Sequence, residues 1–338
     1  MERIFLYYPT IEIPNNAWLY NSILYSDKVA SILPYRNLEY LPNSLKLLYD
    51  EEEYKPIFVR EFIQKNAEEF SRFEDHFLEA IDDKRFFFRA SDTPRDEIFK
   101  GIYYDKLTQR VIDELDSRNL ITRAINKLYM PENAAIYYMN ILAQFIAKID
   151  THNHIIPSTD YKRFSDITFE NGTQKMESMK IILDSCLPVP DMNNDIKKVI
   201  KFKHNHKDDL LRFRVFLSEL VLRINGLNNE QDVKELLISS KEKIELELNN
   251  LHNAYNKSKL KSIVISLSSL ISIENPKLFE TLITAGLIST PINPQIGLSV
   301  AGIGIIGKWI DSYFDRKDKL KSNEMNYLFE AKRIGIIK

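Results

Sequence analysis

Four polar residues in the first half of the chain are candidates for a catalytic site: Asp27, Arg89, His154 and Asp160. An enzyme built on an N-terminal α/β unit would hold its site at strand ends, where ligands bind in such sheets. Carboxylate, guanidinium and imidazole groups could share acid–base work there, provided that they lie within about 10 Å of one another. The alternative is a buried Asp27 that only pairs with a nearby arginine, and the sequence favours this structural role.

Two His-Asn-His triplets, 152–154 and 204–206, raise the question of a metal site. In an extended segment His152 and His154 share one face, and Asp160 follows nearby. Two imidazoles without a clear third ligand do not complete a metal centre. His204 and His206 are predicted on a helix, where residues two apart point in different directions. The sequence therefore favours surface histidines and predicts no metal.

A glycine pattern near the C-terminus, Gly302 to Gly307, matches the G-x-G-x-x-G of dinucleotide-binding folds. That fingerprint requires a strand before the glycines, a helix after them and a second strand ending in an acidic residue. Only 31 residues follow Gly307, which is too few to complete such a sheet. Close helix packing is the better interpretation of these glycines. We expect no cofactor.

The remaining reactive groups favour structural roles. Acidic runs such as Glu51–Glu53 and Glu74–Asp75 are typical of solvated helix faces in a chain with 48 acidic residues. The single cysteine, Cys186, lies in an apolar context and is expected to be a buried thiol. The catalytic residues therefore stay unknown, and the sequence favours a protein that is not an enzyme.

The amino-acid composition excludes several classes of protein. The net charge is −2, so the chain carries no strong nucleic-acid signature. One cysteine rules out an internal disulfide and fits a reducing compartment. The first residues lack the basic and apolar regions of a secretory signal. We expect a cytoplasmic protein.

The fold class predicted is mixed and helix-dominated, since only nine glycines allow few tight turns. Short strand-like runs alternate with helices over residues 1–165 and predict an α/β domain with a short sheet. Asn15-Asn16 is expected to cap a helix that continues to Pro34, and helices are expected near 41–50 and 57–82. A helix over Glu132–Lys148 has apolar residues on nearly all sides and is expected to be central.

The second domain, residues 175–338, is predicted to be all helical. One long helix is expected over Asp195–Arg223 and a return helix over 230–257, whose apolar positions alternate steps of three and four residues. The sequence favours an internal antiparallel helix pair over a dimerising coiled coil.

An apolar segment, Thr281–Gly307, contains 27 consecutive residues without a charge. Pro291 and Pro294 divide it into two arms, each shorter than the ~20 residues that a membrane-spanning helix needs. The segment therefore predicts a hairpin within 278–310. Three alternatives stay open: burial in the helical domain, packing against a partner, or peripheral contact of residues 281–310 with a membrane.

Eight short segments, in this order, resemble a pattern found in an uncharacterised family of bacterial proteins. They are Leu6–Pro9, Ile23–Val29, Tyr138–Ala143, Pro157–Asp160, Leu187–Pro190, Phe202-Lys203, Leu210–Arg214 and Asn326–Lys332. Two positions depart from the pattern: Ser26 replaces the usual tryptophan, and Lys203 replaces the first arginine of a Phe-Arg pair. The family is loosely associated with anti-phage defence, and the resemblance implies no catalytic residue.

The expected function is a non-catalytic component of a bacterial anti-phage defence or stress system that acts through protein–protein contacts. A protein partner or a homo-oligomer is therefore expected. One alternative is a membrane-acting effector that inserts the hairpin 281–307. The other is an enzyme with its site in the N-terminal α/β domain.

Overall fold

The computed structural model describes residues 2–34, 39, 41–82, 99–160, 187–225, 227, 230–255 and 323–338. Several sequence predictions lie outside these residues, among them Arg89, Cys186 and the hairpin 278–310. The chain divides into two compact units, Met1–Gly172 (unit 1) and Thr173–Lys338 (unit 2). The predicted fold class is confirmed: a parallel sheet with helices comes first, and helices follow.

Unit 1 contains two sheets. The strands are β1 (Arg3–Tyr7), β2 (Lys28–Leu33), β3 (Tyr54–Phe58), β4 (Phe99–Tyr103), β5 (Thr122–Arg123), β6 (Lys127–Pro131) and β7 (His154–Ser158). The first sheet is parallel, in the order β3-β2-β1-β7, and the second is antiparallel, in the order β4-β6-β5.

The helices of unit 1 connect and cover these strands. They are α1 (Ala17–Tyr25), α2 (Asn43–Asp50), α3 (Val59–Lys65), α4 (Ala67–Asp82), α5 (Gln109–Ser117) and α6 (Glu132–Ile149), with a short 3-10 turn at Tyr104–Lys106. Helix α6 contacts both sheets and α4. Its buried run from Ala134 to Ala143 explains the central position that its apolar pattern predicted.

The strand order of the parallel sheet reverses next to β1. Both β2 and β3 lie on one side of β1, while β7 lies on the other side. The strand order therefore changes direction between β1 and β7. Such a switch point is where open α/β sheets bind ligands.

Unit 2 is helical over most of its described residues. Its helices are α7 (Ile196–Asn205), α8 (Lys207–Asn225), α9 (Glu230–Tyr255) and α10 (Asn326–Arg333). A bridge between Pro190 and Ile337 ties the first described residues of the unit to its C-terminus. Helices α8 and α9 contact each other and α10.

Three sequence predictions of secondary structure were wrong in detail. The helix expected to run to Pro34 ends at Tyr25, and Lys28–Leu33 is strand β2. The helix expected from residue 57 begins at Val59, after an unpredicted strand. The long helix expected over Asp195–Arg223 breaks at His206. An apolar run of this length is compatible with a helix or with a buried strand. Lys28–Leu33 forms a strand because it pairs with β1.

Candidate functional site

Asp27 and His154 lie at the amino-terminal edge of the parallel sheet. Asp27 directly precedes β2, and its backbone N–H donates to the Arg3 carbonyl oxygen at 2.8 Å. The Arg3 backbone N–H donates in return to Asp27 Oδ2 at 2.7 Å. His154 begins β7 and is the register partner of Arg3. The two candidates thus share an edge, on either side of Arg3, and these hydrogen bonds give Asp27 a structural role.

Asp160 lies at the opposite edge of the same sheet. It follows β7 by two residues, whereas His154 begins that strand. At ~3.3 Å per residue, the two ends of a five-residue strand are about 13 Å apart. Asp160 therefore cannot act on the same substrate atoms as Asp27 and His154. The fourth candidate, Arg89, lies outside the described residues.

A polar cluster surrounds Asp160 at the switch point, which we call the switch-point cluster: Tyr7, Asn16, Trp18, Ser158 and Asp160. The Tyr7 hydroxyl donates to Asp160 Oδ1 at 3.0 Å, and the Asn16 amide donates to Asp160 Oδ2. Beneath them, Trp18 Nε1 donates to the buried Ser158 hydroxyl at 2.9 Å. The Tyr7 and Trp18 rings have centroids 4.8 Å apart. The cluster therefore joins β1, β7 and the start of α1.

Helix α1 begins at this cluster because Asn16 caps it. Asn16 Oδ1 accepts a hydrogen bond from the Leu19 backbone N–H at 3.3 Å, and its amide nitrogen faces Asp160. The positive end of the helix dipole favours a carboxylate there. The Asp160 side chain is exposed, so its remaining lone pairs can accept hydrogen bonds from a ligand hydroxyl or amine. The arrangement is thus suited to binding.

A second row of polar groups lies behind the cluster, between β1 and α6. The Asn140 amide donates to the Tyr8 hydroxyl at 3.5 Å, and the Gln144 amide donates to Asn140 Oδ1 at 2.7 Å. Burial raises the pKa of the Tyr8 hydroxyl well above its usual range. Tyr8 therefore stays protonated at neutral pH and serves as a neutral hydrogen-bonding group.

Unit 2 contains a charged cluster, which we call the Asp209 cluster: His206, Asp209, Arg212 and Asn326. His206 Nδ1 lies 3.1 Å from Asp209 Oδ2, and Arg212 Nη2 donates to Asp209 Oδ1 at 2.6 Å. The three side chains are spaced by three residues and so follow one face of the chain at the start of α8. An aspartate at a helix N-terminus is stabilised by the dipole.

Opposing effects act on Asp209. Its side chain is only 13% exposed, and this burial would raise its pKa. Hydrogen bonds from Asn326, His206 and Arg212 outweigh burial, so the pKa lies below its usual range. Two buried atoms beside it, Arg212 Nε and Asn326 Oδ1, have no hydrogen-bond partner among the described residues. They leave one donor and one acceptor unused.

No feature of the sequence distinguishes His206 from His204. Both belong to a triplet predicted on a continuous helix, where neither histidine was expected to bind a metal. The break at His206 separates α7 from α8, and the imidazole turns toward the first turn of α8. The spacing His-x-x-Asp-x-x-Arg from 206 to 212 is the signal that could have identified the cluster.

Segments that carry the family resemblance meet in each unit. In unit 1, Leu6–Pro9 contacts Pro157–Asp160 through the bond between Tyr7 and Asp160. In unit 2, the Tyr327 ring lies with its centroid 5.1 Å from that of Phe202 and 6.4 Å from that of Phe213. These motifs are therefore parts of two packed clusters.

Helix α8 is apolar on two opposite sides. Its inner side is buried and consists of Leu210, Phe213, Leu217, Leu220 and Ile224. Its other side exposes three residues, which we call the outer stripe: Leu211 (48% exposed), Val215 (56%) and Leu222 (54%). Steps of four and seven residues align them along the helix. Isolated exposed leucines are ordinary, but an aligned set is typical of a contact surface.

Metal-binding clusters and membrane-spanning helices are both absent from the described residues. No group of three or more His, Cys, Asp or Glu side chains there could hold a metal ion. No helix within the described ranges is long and apolar enough to cross a membrane.

Comparison with known proteins gives one match. The model of a family described as a family of unknown function, DUF6236, matches residues 157–333. That segment has 177 of the 338 residues and is just over half of the chain. It contains Asp160 and the whole Asp209 cluster. No curated protein matches the chain, and no solved structure does.

Proposed function

The chain belongs to DUF6236, a family of unknown function, and on this premise we propose that it is a non-catalytic component of a bacterial anti-phage defence or stress system. It acts in the cytoplasm by binding another protein. The resemblance described above suggests the defence context. The outer stripe of α8 is the observation that supports binding.

The outer stripe suits one kind of partner, an amphipathic helix. From Leu211 to Leu222 the helix rises about 16 Å, at 1.5 Å per residue. Helices that dock in this manner use apolar anchors spaced by three, four and seven residues. Exposed charges of both signs lie near the stripe, at Lys207, Asp208, Glu219 and Arg223, and would favour a partner whose flanking residues also carry both signs. The buried inner side of α8 keeps the stripe in place.

A photo-crosslinking experiment tests this proposal. A crosslinking amino acid at position 215 of the full chain, expressed in its host, is expected to capture one protein through a helical segment. The same amino acid at position 125 is the control, because Ile125 is 96% exposed in unit 1. Crosslinks to a second copy of the chain would show that the outer stripe binds another copy of this protein and not a different partner. A stable monomer with no crosslink at 215 would contradict the proposal.

Infection experiments test the defence role separately. Cells that carry the gene are expected to form fewer plaques than cells without it, and Val215→Asp should abolish the difference. Ile125→Asp makes the same chemical change at the exposed control position and should keep protection. Equal plaque counts with and without the gene, across a broad phage panel, would contradict the defence role. They would not contradict the binding proposal.

A second candidate function is ligand binding or catalysis at the switch-point cluster. It is favoured by the position of Asp160, which lies at the strand-order reversal with an exposed carboxylate held by Tyr7 and Asn16. Thermal-shift measurements with nucleosides and small polyols test it. Asp160→Asn should lose the ligand-dependent shift, and Asp27→Asn at the opposite edge should keep it. If neither variant differs from the native chain, this candidate fails.

The membrane-acting effector remains an alternative based on sequence only, because residues 281–307 lie outside the described ranges. Leakage of dye from vesicles with anionic lipids tests it. Deletion of 281–307 should abolish leakage. Absence of leakage with the full chain, together with no toxicity on overexpression, would exclude it.

A further inference from the structure

Four charged residues of α8 form a row beside the outer stripe, which we call the charged row: Asp208, Arg212, Glu219 and Arg223. Measured from Leu210 at about 100° per residue, the outer stripe lies between about 100° and 140° around the helix, and the charged row between about 160° and 220°. Asp208, Glu219 and Arg223 are exposed, and the Arg212 side chain is 34% exposed. One flank of the stripe thus carries charges that a docked helix would meet.

The signs of the charged row alternate along the helix, and their spacing is symmetric. From the amino to the carboxyl end the charges are negative, positive, negative and positive. The outer pair, Asp208 and Arg223, has its midpoint between Val215 and the next residue. The inner pair, Arg212 and Glu219, has the same midpoint. Two such rows that run in opposite directions match each other, because each residue then meets one of opposite sign.

The outer stripe fits the same symmetric arrangement. Val215 lies next to the midpoint of the charged row, so it would face Val215 of a second copy across a twofold axis. Leu211 and Leu222 have their midpoint one residue further along. In the register that matches the charges, Leu211 would therefore lie within about 3 Å, along the helix axis, of Leu222 in the second copy. Apolar contacts and opposite charges select the same register.

The match requires an antiparallel pair of helices. In an antiparallel pair related by a twofold axis, the same flank of each helix lies on the same side, so the two charged rows face each other. In a parallel pair each row faces the opposite flank, where the exposed charge of α8 is Lys207, and that flank would match Asp208 alone. A strongly acidic or strongly basic helix would place like charges beside half of the row, which is unfavourable.

We propose that the protein that binds the outer stripe is a second copy of this chain, and that the two α8 helices pack antiparallel across a twofold axis at the midpoint of the charged row. This inference rests on the binding role proposed for the outer stripe and identifies the partner. Asp208 pairs with Arg223 of the second copy. Arg212 pairs with Glu219 of the second copy and keeps its bond to Asp209 in its own chain, since a guanidinium has several N–H donors. By symmetry each contact occurs twice.

Sedimentation equilibrium of the full chain measures the association. The apolar contact is small, so we expect a dimer with a Kd of about 1–100 µM. Val215→Asp should give a monomer, because it places two carboxylates opposite each other at the axis. Ile125→Asp, at a position that is 96% exposed in unit 1, should leave the Kd unchanged, and circular dichroism checks that both variants are folded. A native chain that stays monomeric up to about 200 µM would overturn the proposal.

Reversal of one charge pair tests the register. Asp208→Arg alone and Arg223→Asp alone should each weaken the dimer about tenfold, because each places like charges together at two symmetric positions. The double variant exchanges the two signs and should restore the Kd to within about threefold of the native value. A double variant that is as weak as the single variants would overturn the pairing of Asp208 with Arg223.

Photo-crosslinking shows which residues meet and separates this inference from the proposed function. In purified protein that mixes unlabelled and isotope-labelled chains, a crosslinking amino acid at position 211 should link to residues near 222 of a second copy. Links to residues near 211 would overturn the antiparallel arrangement. In the host, a chain that is monomeric in vitro but captures a different protein at position 215 would overturn the second copy as partner and leave the proposed function in place. Absence of any crosslink at 211 and 215 would contradict both.

Discussion

The two units of this chain place polar and apolar groups differently. Around the parallel sheet of unit 1, buried polar groups are mostly neutral and paired, as in the bonds of Trp18 with Ser158 and of Ser31 with Tyr54. In unit 2 the helices bury Lys203, Arg214 and Glu330. One of these helices, α8, also exposes the outer stripe.

This difference suggests that the two units have different roles. In unit 1 one large apolar core contains residues of both sheets, α4 and α6, and further apolar residues are buried outside it, among them Phe5, Ile23 and Val29. Among the described residues, unit 2 instead exposes more large apolar side chains than unit 1: Val189, Met192, Leu211, Val215, Leu222, Ile238, Leu246 and Ile334, against Tyr49, Ile125 and Tyr129. We infer that unit 1 supplies stability and that unit 2 supplies the contact with a partner. Unit 1 also buries charged side chains, at Glu53, Glu74 and Lys106.

The largest effect is expected for Phe77→Ala in the core of unit 1. Phe77 is fully buried, and its ring centroid lies 4.9 Å from that of Tyr138. Removal of the ring leaves a cavity and should reduce the free energy of unfolding by about 3–5 kcal/mol. Urea denaturation followed by circular dichroism measures it. A loss below 1 kcal/mol would mean that unit 1 is not the rigid core described here.

Lys106→Met should stabilise unit 1 at neutral pH, by up to a few kcal/mol. Between pH 7 and 10 the unfolded chain binds a proton at Lys106 that the folded chain does not, because the folded pKa is lowered to about 7. The native protein should therefore become more stable as pH rises through this window, while Lys106→Met should lack this rise. Parallel slopes for both proteins in thermal denaturation would contradict the lowered pKa.

Asp209→Ala should destabilise unit 2 by about 2 kcal/mol, since it removes charge-assisted hydrogen bonds to His206 and Arg212. The pKa of Asp209 is lowered in the folded state. Its contribution is therefore complete above the unfolded pKa of ~3.9 and is lost as pH falls through the folded pKa. Denaturation midpoints at pH 7 and pH 3 measure both effects. Asp208→Ala, which removes an exposed neighbouring carboxylate, is the matched control.

Trp18→Phe should cost about 1–2 kcal/mol in unit 1, because the Ser158 hydroxyl loses its buried donor. A double-mutant cycle with Ser158→Ala isolates the pair. Coupling near zero would show that the hydrogen bond does not hold α1 against β7, and it would weaken the case for a preformed switch-point cluster.

The smallest stability effect, within about 0.5 kcal/mol, is expected for Val215→Ser on the outer stripe. Phe213→Ala on the buried side of the same helix should cost several kcal/mol by comparison. A large loss for Val215→Ser would show that the stripe is part of a core, and unit 2 would then resemble unit 1.

Elements with a distinctive local pattern could be predicted from sequence. Helix α6 was expected at Glu132–Lys148, and the structure has it at Glu132–Ile149. The return helix α9 also agrees, and four of its apolar residues, Leu237, Ile244, Leu248 and Leu251, are buried at spacings of seven, four and three residues. Strand β4 was not predicted, because its five residues include Lys100 and Gly101, which do not favour strands.

The candidate site could be predicted only in part. Asp160 was proposed together with Asp27 and His154 as part of a site at the strand ends of an N-terminal α/β unit. A sequence does not show which end, so the strand at Lys28 had to be known before Asp27 could be placed on the opposite edge. The Asp209 cluster could not be predicted, because it forms only where the helix breaks at His206. The burial of Lys106 could not be predicted either, because it results from the packing of a turn against α3 and α6.

The sequence by itself determined the mixed, helix-dominated class, the apolar surfaces of the long helices and the identity of the groups available for chemistry, since these follow from composition and short periodicities. Only the tertiary structure decided where these groups meet. Burial, the direction of each strand and the charges that surround a side chain arise from contacts between residues far apart in the chain. The hydrogen bonds from Tyr7 to Asp160 and from Tyr138 to the Lys106 carbonyl oxygen are such contacts.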